Sequence, residues 1–376
     1  MRRQLLKRIK EQCFKGKVIL LLGARQVGKT TLLKQLVDEI DKKTVWFNAD
    51  EADVLREFAT ADTSTRLLQV IGAKTELVII DEAQEIKDIG KKLKLLYDTK
   101  PEIQIIATGS SSFDLLDKTS EPLTGRKRIY YLYPISYKEI VDDRNILEAK
   151  RLLDVRLIYG SYPEVVNNVG DEKEVLLEIA GSYLYKDIMK LEGIRKASHI
   201  EKLLTALAFQ VGSEVNYHEL SKTVGNIDSA TVEKYLDIFE KTFIVFKLPA
   251  FSRNLRNEIK KGKKYYFYDN GIRNVLISNY SPLDLRMDKG ALWENYIISE
   301  RMKFNHYNRE YPNTYFWRTH DQAEIDYIEE TKGILNAYEI KWKEHKNRFP
   351  ASFLSAYPQH KTAVINKENF ETFLGI

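Results

Sequence analysis

Residues 23–30, Gly23-Ala24-Arg25-Gln26-Val27-Gly28-Lys29-Thr30, satisfy the spacing G-x-x-x-x-G-K-[ST], and Thr31 follows them. The pattern suits a polyphosphate. Backbone N–H groups gathered at a helix N-terminus can meet several phosphate oxygens without one side chain for each. Gly23 and Gly28 let the loop wrap closely, because a Cβ there would block backbone approach or the required φ. Lys29 can reach the β and γ phosphates, and the Thr30 hydroxyl can ligate Mg²⁺. Residues 23–31 are thus the expected binding segment for ATP.

A second chemical signal follows at Leu77-Val78-Ile79-Ile80-Asp81-Glu82. An apolar strand ending in two acids presents one carboxylate to the Mg²⁺ shell (Asp81) and one to the attacking water (Glu82). A third apolar run, Ile103–Thr108, is followed by Gly109-Ser110-Ser111-Ser112, and its end belongs beside Asp81. Thr108 and Ser110 are the candidates for a hydroxyl that bonds the water or the γ-phosphate, with Ser110 preferred; turn residues after a strand are the other reading. The elements needed to position these groups are present. Val18–Leu22 reads as a buried parallel strand, and Leu32, Leu33, Leu36, Val37 and Ile40 recur at helical spacing. Residues 1–9 read as a short amphipathic helix packed on the first domain.

Together with Leu-Leu after Thr31, Ala83-Gln84, Ala107-Thr108-Gly109-Ser110-Ser111, Leu123-Thr124-Gly125-Arg126 and Pro134-Ile135-Ser136-Tyr137-Lys138-Glu139, these motifs resemble the prokaryotic AAA+ ATPases that carry a C-terminal restriction-endonuclease-like domain. Gly160–Val166, Tyr185–Ile188, Tyr266–Gly271 and a terminal Asp…Glu-x-Lys set extend the resemblance over nearly the whole chain. It implies an α/β fold: a P-loop NTPase (AAA+) parallel sheet over 1–140, a helical winged-helix domain over 141–280, and an α/β restriction-endonuclease-like domain over 281–376. It also implies ATPase activity. Arg126 occupies the family's Gly-Arg position, where an arginine finger would act on a neighbouring subunit's γ-phosphate; a surface basic cluster is the alternative.

The middle segment supports the expected organisation. Ile200–Ala208 has a helical apolar stripe, Tyr217–Val224 reads as a short helix, and Gly225-Asn226-Ile227 makes a turn. Asp228 or Ser229 can cap a helix over Thr231–Phe239, and Phe243–Phe246 reads as a strand. Helix, short helix, turn, helix, strand is winged-helix order. Arg253, Arg256, Lys260, Lys261, Lys263 and Lys264 fall where a wing would lie, opposed by Glu258. Such a strip could neutralise DNA phosphates. Against tight major-groove insertion stand Asp228, Glu233, Asp237 and Glu240 on the would-be recognition helix.

At the carboxyl end, Asp326 and Glu339-x-Lys341 match the PD-(D/E)xK nuclease pattern, without the proline before Asp326. Strand alternation puts Glu339 and Lys341 on one face, and a hairpin would bring Asp326 beside them. With Glu294 from a preceding helix, these acids could hold Mg²⁺ or Mn²⁺ by oxygen ligands, Lys341 positioning the nucleophile. A retained fold without cutting activity is the alternative.

Composition bounds the rest. A chain of 376 residues predicts two or three domains. One cysteine, Cys13, permits no intramolecular disulfide and fits a reducing cytoplasm. The apolar runs are strand-length, well short of the ~20 residues of a membrane span, and the basic start lacks the apolar region of a secretory signal. No paired metal-ligand spacing suggests structural zinc. A net charge of +5 is too modest to establish a nucleic-acid partner alone. The expected protein is a cytoplasmic ATPase, homo-oligomeric if Arg126 acts in trans, with DNA as the candidate partner. The competing reading is a signalling-type ATPase whose rear domains bind proteins.

Overall fold

Val18–Leu22 forms strand β1, and all five residues are buried. A run without polar alternation must be covered on both faces, as in a parallel sheet between helices. The computed structural model describes residues 1–110, 112–181, 188, 197–252, 262–319, 322–343 and 349–376. Its first sheet joins β1 to β2 (Thr44–Asn48), β3 (Leu77–Asp81), β4 (Gln104–Gly109) and β5 (Lys127–Tyr131) in the order β2-β3-β4-β1-β5. Every pairing is parallel. Helix Lys29–Glu39 follows β1 and buries Leu32, Leu33 and Leu36. The N-terminal helix is present over Gln4–Gln12, burying Leu5, Leu6 and Ile9.

Ile129-Tyr130-Tyr131-Leu132-Tyr133 reads from sequence as an alternating strand, and the structure shifts it. β5 begins at Lys127, because it pairs residue for residue with β1 from Val18↔Lys127 to Leu22↔Tyr131. β2 lacks a sequence signal of the kind that marks its neighbours: it is an edge strand whose five residues are all half-buried.

The chain divides into two compact units, Met1–Tyr133 with Lys241–Phe243, and Pro134–Glu240 with Ile244–Ile376. The segments expected as separate middle and rear domains therefore fall within one unit. Hydrogen bonds across the expected boundary at residue 280 explain this. Asn295 accepts from the Phe267 N–H at 2.7 Å and donates to its carbonyl at 3.1 Å.

In the second unit, helices Ala197–Phe209, Tyr217–Val224 and Ser229–Lys241 accompany a small antiparallel sheet. Its strands are β6 (Glu214–Val215), β7 (Val245–Pro249) and β8 (Lys263–Phe267), in the order β6-β8-β7. The Asn216 side chain caps the short helix, and Gly225 and Asn226 turn the chain with φ of +131° and +55°. Helix Lys289–Asn308 then leads into β9 (Asn313–Arg318), β10 (Glu324–Thr331) and β11 (Ile334–Ile340), and helix Ala351–Ala356 precedes β12 (His360–Ile365). The order is β12-β11-β10-β9, antiparallel except for the parallel pair β11–β12. Phe251, Trp317, Ile325, Ile328, Leu335, Ala337 and Phe353 form a core cluster there. The Phe251 N–H donates to the Phe316 carbonyl at 2.6 Å, tying the segment after β7 to β9.

Ser111, Tyr185–Asp187, Arg253, Arg256, Glu258, Lys260 and Lys261 lie outside the described residues. Among the described residues, no helix is long and apolar enough to cross a membrane.

Candidate functional site

The phosphate-binding motif lies where β1 gives way to helix Lys29–Glu39, at the carboxyl ends of the parallel strands. In open α/β sheets that edge is where ligands bind. Gly28 takes φ of +94°, a left-handed turn that favours glycine. Gly23 is constrained differently from expectation. A Cβ on it would come within 2.1 Å of the Leu132 carbonyl oxygen, so packing against the chain after β5 requires the glycine. Lys29 is buried, and its Nζ donates to the carbonyls of Gly23 (2.8 Å) and Ala24 (2.9 Å). Arg3, read from sequence only as part of the N-terminal helix, is also buried and donates to the Val27 carbonyl at 2.6 Å.

Thr30 Oγ1 donates to Asp81 Oδ2 at 2.7 Å, although the two residues are 51 positions apart. Thr108 Oγ1 donates to the other carboxylate oxygen of Asp81 and accepts the Glu82 N–H at 3.1 Å. That hydroxyl therefore fixes the two acids relative to each other. The backbone turns sharply here, Glu82 having φ of +50°. Its carboxylate accepts from Gln84 Nε2 at 2.5 Å, and the same amide lies 3.4 Å from Ser110 Oγ. Burial raises the Glu82 pKa, but Lys29, Gln84, Arg25 and Ser110 outweigh it and hold the group below its ordinary value. Glu82 is thus a carboxylate at neutral pH. The Thr30 hydroxyl, at the start of the helix, and the Asp81 carboxylate, at the end of β3, are hard oxygen donors that fit Mg²⁺ completed by phosphate and water.

Arg126 stands apart from this constellation. Its carbonyl accepts the Val18 N–H at 2.9 Å, at the amino end of β1, and its Nε pairs with Asp98 at 2.8 Å. The phosphate loop begins after Leu22, four residues or about 13 Å along the strand. Arg126 therefore lies at the far end of the sheet from its own chain's loop.

The predicted carboxyl-terminal residues do meet. Lys341 Nζ lies 3.0 Å from Asp326 Oδ2 and 2.7 Å from Glu339 Oε2. A bulge in β10 between Ile325 and Ile328 breaks its register with β9, and Asp326 sits in it. Bulges re-aim side chains in this way. Glu294 accepts from Tyr266 at 2.6 Å and lies 3.6 Å from Lys264 Nζ, which also pairs with Glu324. Burial, reinforced by the charge of Asp326, pushes both Glu294 and Glu339 up to about 7 against the pull of Lys264 and Lys341 respectively. The donors do not fit the expected metal. Asp326 Oδ2 is already engaged by the Ile340 N–H at 2.7 Å as well as by Lys341. Among the described residues, no group of three His, Cys, Asp or Glu is placed to hold a metal ion.

Two wing lysines also depart from expectation. Lys264 is 1% exposed and paired within the cluster, so it is no phosphate-facing surface residue. Lys263 pairs with Glu233 at 3.4 Å and lies over the Tyr217 ring.

Comparison with known proteins agrees with the first unit's geometry. Residues 15–141 match the family described as "AAA domain". Residues 150–283 and 289–375 match two families described as domains of unknown function. An uncharacterized protein of Mycobacterium tuberculosis is 27% identical over 348 residues, covering 90% of this chain and 74% of the relative. An uncharacterized protein of Haemophilus influenzae is 26% identical, covering 86% and 83%. The solved structure of a Walker-type ATPase from Pyrococcus abyssi aligns with a TM-score of 0.51 at 16% identity, covering 72% of this chain and 94% of that one. The match to an AAA domain thus falls on the five-stranded parallel sheet of the first unit, whose fold resembles that of the Walker-type ATPase.

Proposed function

We propose that this chain is a cytoplasmic AAA+ ATPase that acts on DNA, its nucleotide state switching the segments that follow residue 140. The carrying observation is the bond from Thr30 in the phosphate loop to Asp81 at the end of β3, beside an ionised Glu82. Residues 23–31 bind the triphosphate, and Lys29 exchanges its loop carbonyls for phosphate oxygens. Thr30 and Asp81 would hold Mg²⁺, which neutralises phosphate charge when bound. Glu82 accepts the proton of the attacking water, and Ser110 orients that water from the adjacent strand end. Arg126, facing away from its own loop, serves a neighbouring subunit in a homo-oligomer.

The DNA assignment is supported by element order. The succession of three helices with the sheet β6-β8-β7 supports the winged-helix reading, and the succession helix, β9, β10, β11, helix, β12 supports the restriction-endonuclease-like one. A second reading, a signalling-type ATPase whose rear domains bind proteins, is favoured by the acids Glu233 and Asp237 exposed on helix Ser229–Lys241.

ATP turnover by the wild type, lost in both Lys29→Ala and Glu82→Gln, tests the ATPase assignment; turnover surviving both substitutions would refute it. DNA affinity measured with ATP and with ADP across a salt series tests the partner. A flat salt profile, or equal affinity in both nucleotides, would leave the signalling reading.

A further inference from the structure

We propose that Lys264 is the built-in cation of the second unit's acidic cluster, latching β8 to the four-stranded sheet where a restriction-endonuclease-like site would hold a divalent ion. The inference concerns a site separate from the ATP-binding loop and stands without the ATPase reading.

The cluster is drawn from three parts of the chain: Lys264 and Tyr266 on β8, Glu294 on helix Lys289–Asn308, and Glu324, Asp326 and Glu339 on β10 and β11. An isolated ammonium cannot be buried this deeply, so its partners must compensate the lost hydration. Those partners are Glu294 at 3.6 Å and Glu324 in direct contact, with the ammonium 5.3 Å from the centre of the Phe316 ring. Two carboxylates from different elements thus converge on one buried ammonium, the geometry of an ion pair rather than of a free cation site.

Lys341 does not by itself separate a latch from a nuclease, because the PD-(D/E)xK pattern places a lysine beside the carboxylates. Lys264 does, since it comes from outside that pattern. It supplies positive charge to the acids that a divalent ion would need. Their other contacts are donors too: Tyr266 on Glu294, the Ile340 N–H on Asp326, and Arg318 Nε at 3.6 Å from Glu324. A magnesium or manganese ion demands oxygen ligands around it and would meet a fixed ammonium instead. Gly212 makes room for this arrangement, its Cβ position lying 3.1 Å from Glu294 Oε1.

Thermal melting of the full chain, without nucleotide, in millimolar MnCl₂ or EDTA tests the proposal. The wild type should melt at the same temperature in both. Lys264→Met should melt roughly 10 °C lower in EDTA, as for a broken buried ion pair in a domain of this size, and Mn²⁺ should restore part of the loss. If that variant does not fold, Lys264→Met with Glu324→Gln, which removes one charge of each sign, should respond to Mn²⁺ where the wild type does not. An equal response, or none, in variant and wild type overturns the proposal. So does plasmid cleavage by the wild type in Mg²⁺ or Mn²⁺ that Asp326→Ala abolishes. Neither readout depends on ATP turnover, so failure here and failure of the ATPase reading are told apart.

Discussion

Arg3 Nη1 donates a 2.6 Å hydrogen bond to the carbonyl of Val27, while its Nη2 reaches the Tyr133 carbonyl at 2.6 Å. One guanidinium thus clamps the phosphate loop to the chain segment that leaves β5. Arg3→Met should cost about 2–3 kcal/mol, because charged hydrogen bonds are lost and two carbonyls are left without this donor. Urea unfolding measures the loss. The same variant should raise KM for ATP more than it lowers kcat, since the loop loosens while Asp81 and Glu82 keep their partners.

Gly23→Ala should destabilise the protein before any nucleotide is added. Its new methyl would meet the Leu132 carbonyl at 2.1 Å, a backbone atom that cannot swing aside. Overpacking of this kind costs about 1–3 kcal/mol. A nucleotide-free melting curve identical to the wild type's would show that the glycine serves the ligand alone.

Arg126 should act on another subunit. Arg126→Ala and Lys29→Ala proteins, each inactive alone, should regain part of the ATPase rate when mixed, because one supplies an intact loop and the other an intact arginine. Specific activity of the wild type should also rise with protein concentration. No recovery on mixing would return Arg126 to its observed partnership with Asp98 as a surface ion pair.

Asp288 should make the fold acid-sensitive. Burial pushes its carboxyl up, but Arg286 and Arg273 overrule burial and hold it well below the ordinary carboxylate range. A depressed folded-state pKa gives stability that is present above the unfolded value, near 3.8, and lost as pH falls toward the folded value. Wild-type unfolding free energy should therefore drop steeply below about pH 4, and Asp288→Asn should flatten that part of the curve while lowering stability at pH 7. Unfolding curves at several pH values check both.

The phosphate loop, the strand that carries Asp81 and Glu82, and the helix that follows the loop were all legible, because each is a local pattern of spacing and apolar run. So was the short helix Tyr217–Val224, punctuated by Asn216 and Gly225. The edge strand Thr44–Asn48 was not, since its apolar run, Val45-Trp46-Phe47, is shorter than those of the buried strands and every residue of it stays half-buried. Sequence alone offers Thr108 as a hydroxyl for the water or the γ-phosphate, or as a turn residue; the structure commits it to holding the two acids.

What the chain's own order of residues determined was chemistry carried by neighbours: amides, an ammonium and a hydroxyl within one turn, and acids at the end of one strand. What the tertiary structure decided was chemistry between strangers. Arg3 meets Val27 and Tyr133, Gly23 meets Leu132, and Lys264 meets Glu294 and Glu324. A lysine among lysines reads as a surface charge in one dimension. Only the fold, which brings β8 beside helix Lys289–Asn308 and the start of β10, shows that its half-buried counter-charges lie against it, because electrostatic partnership depends on distance through the fold and not on position along the chain.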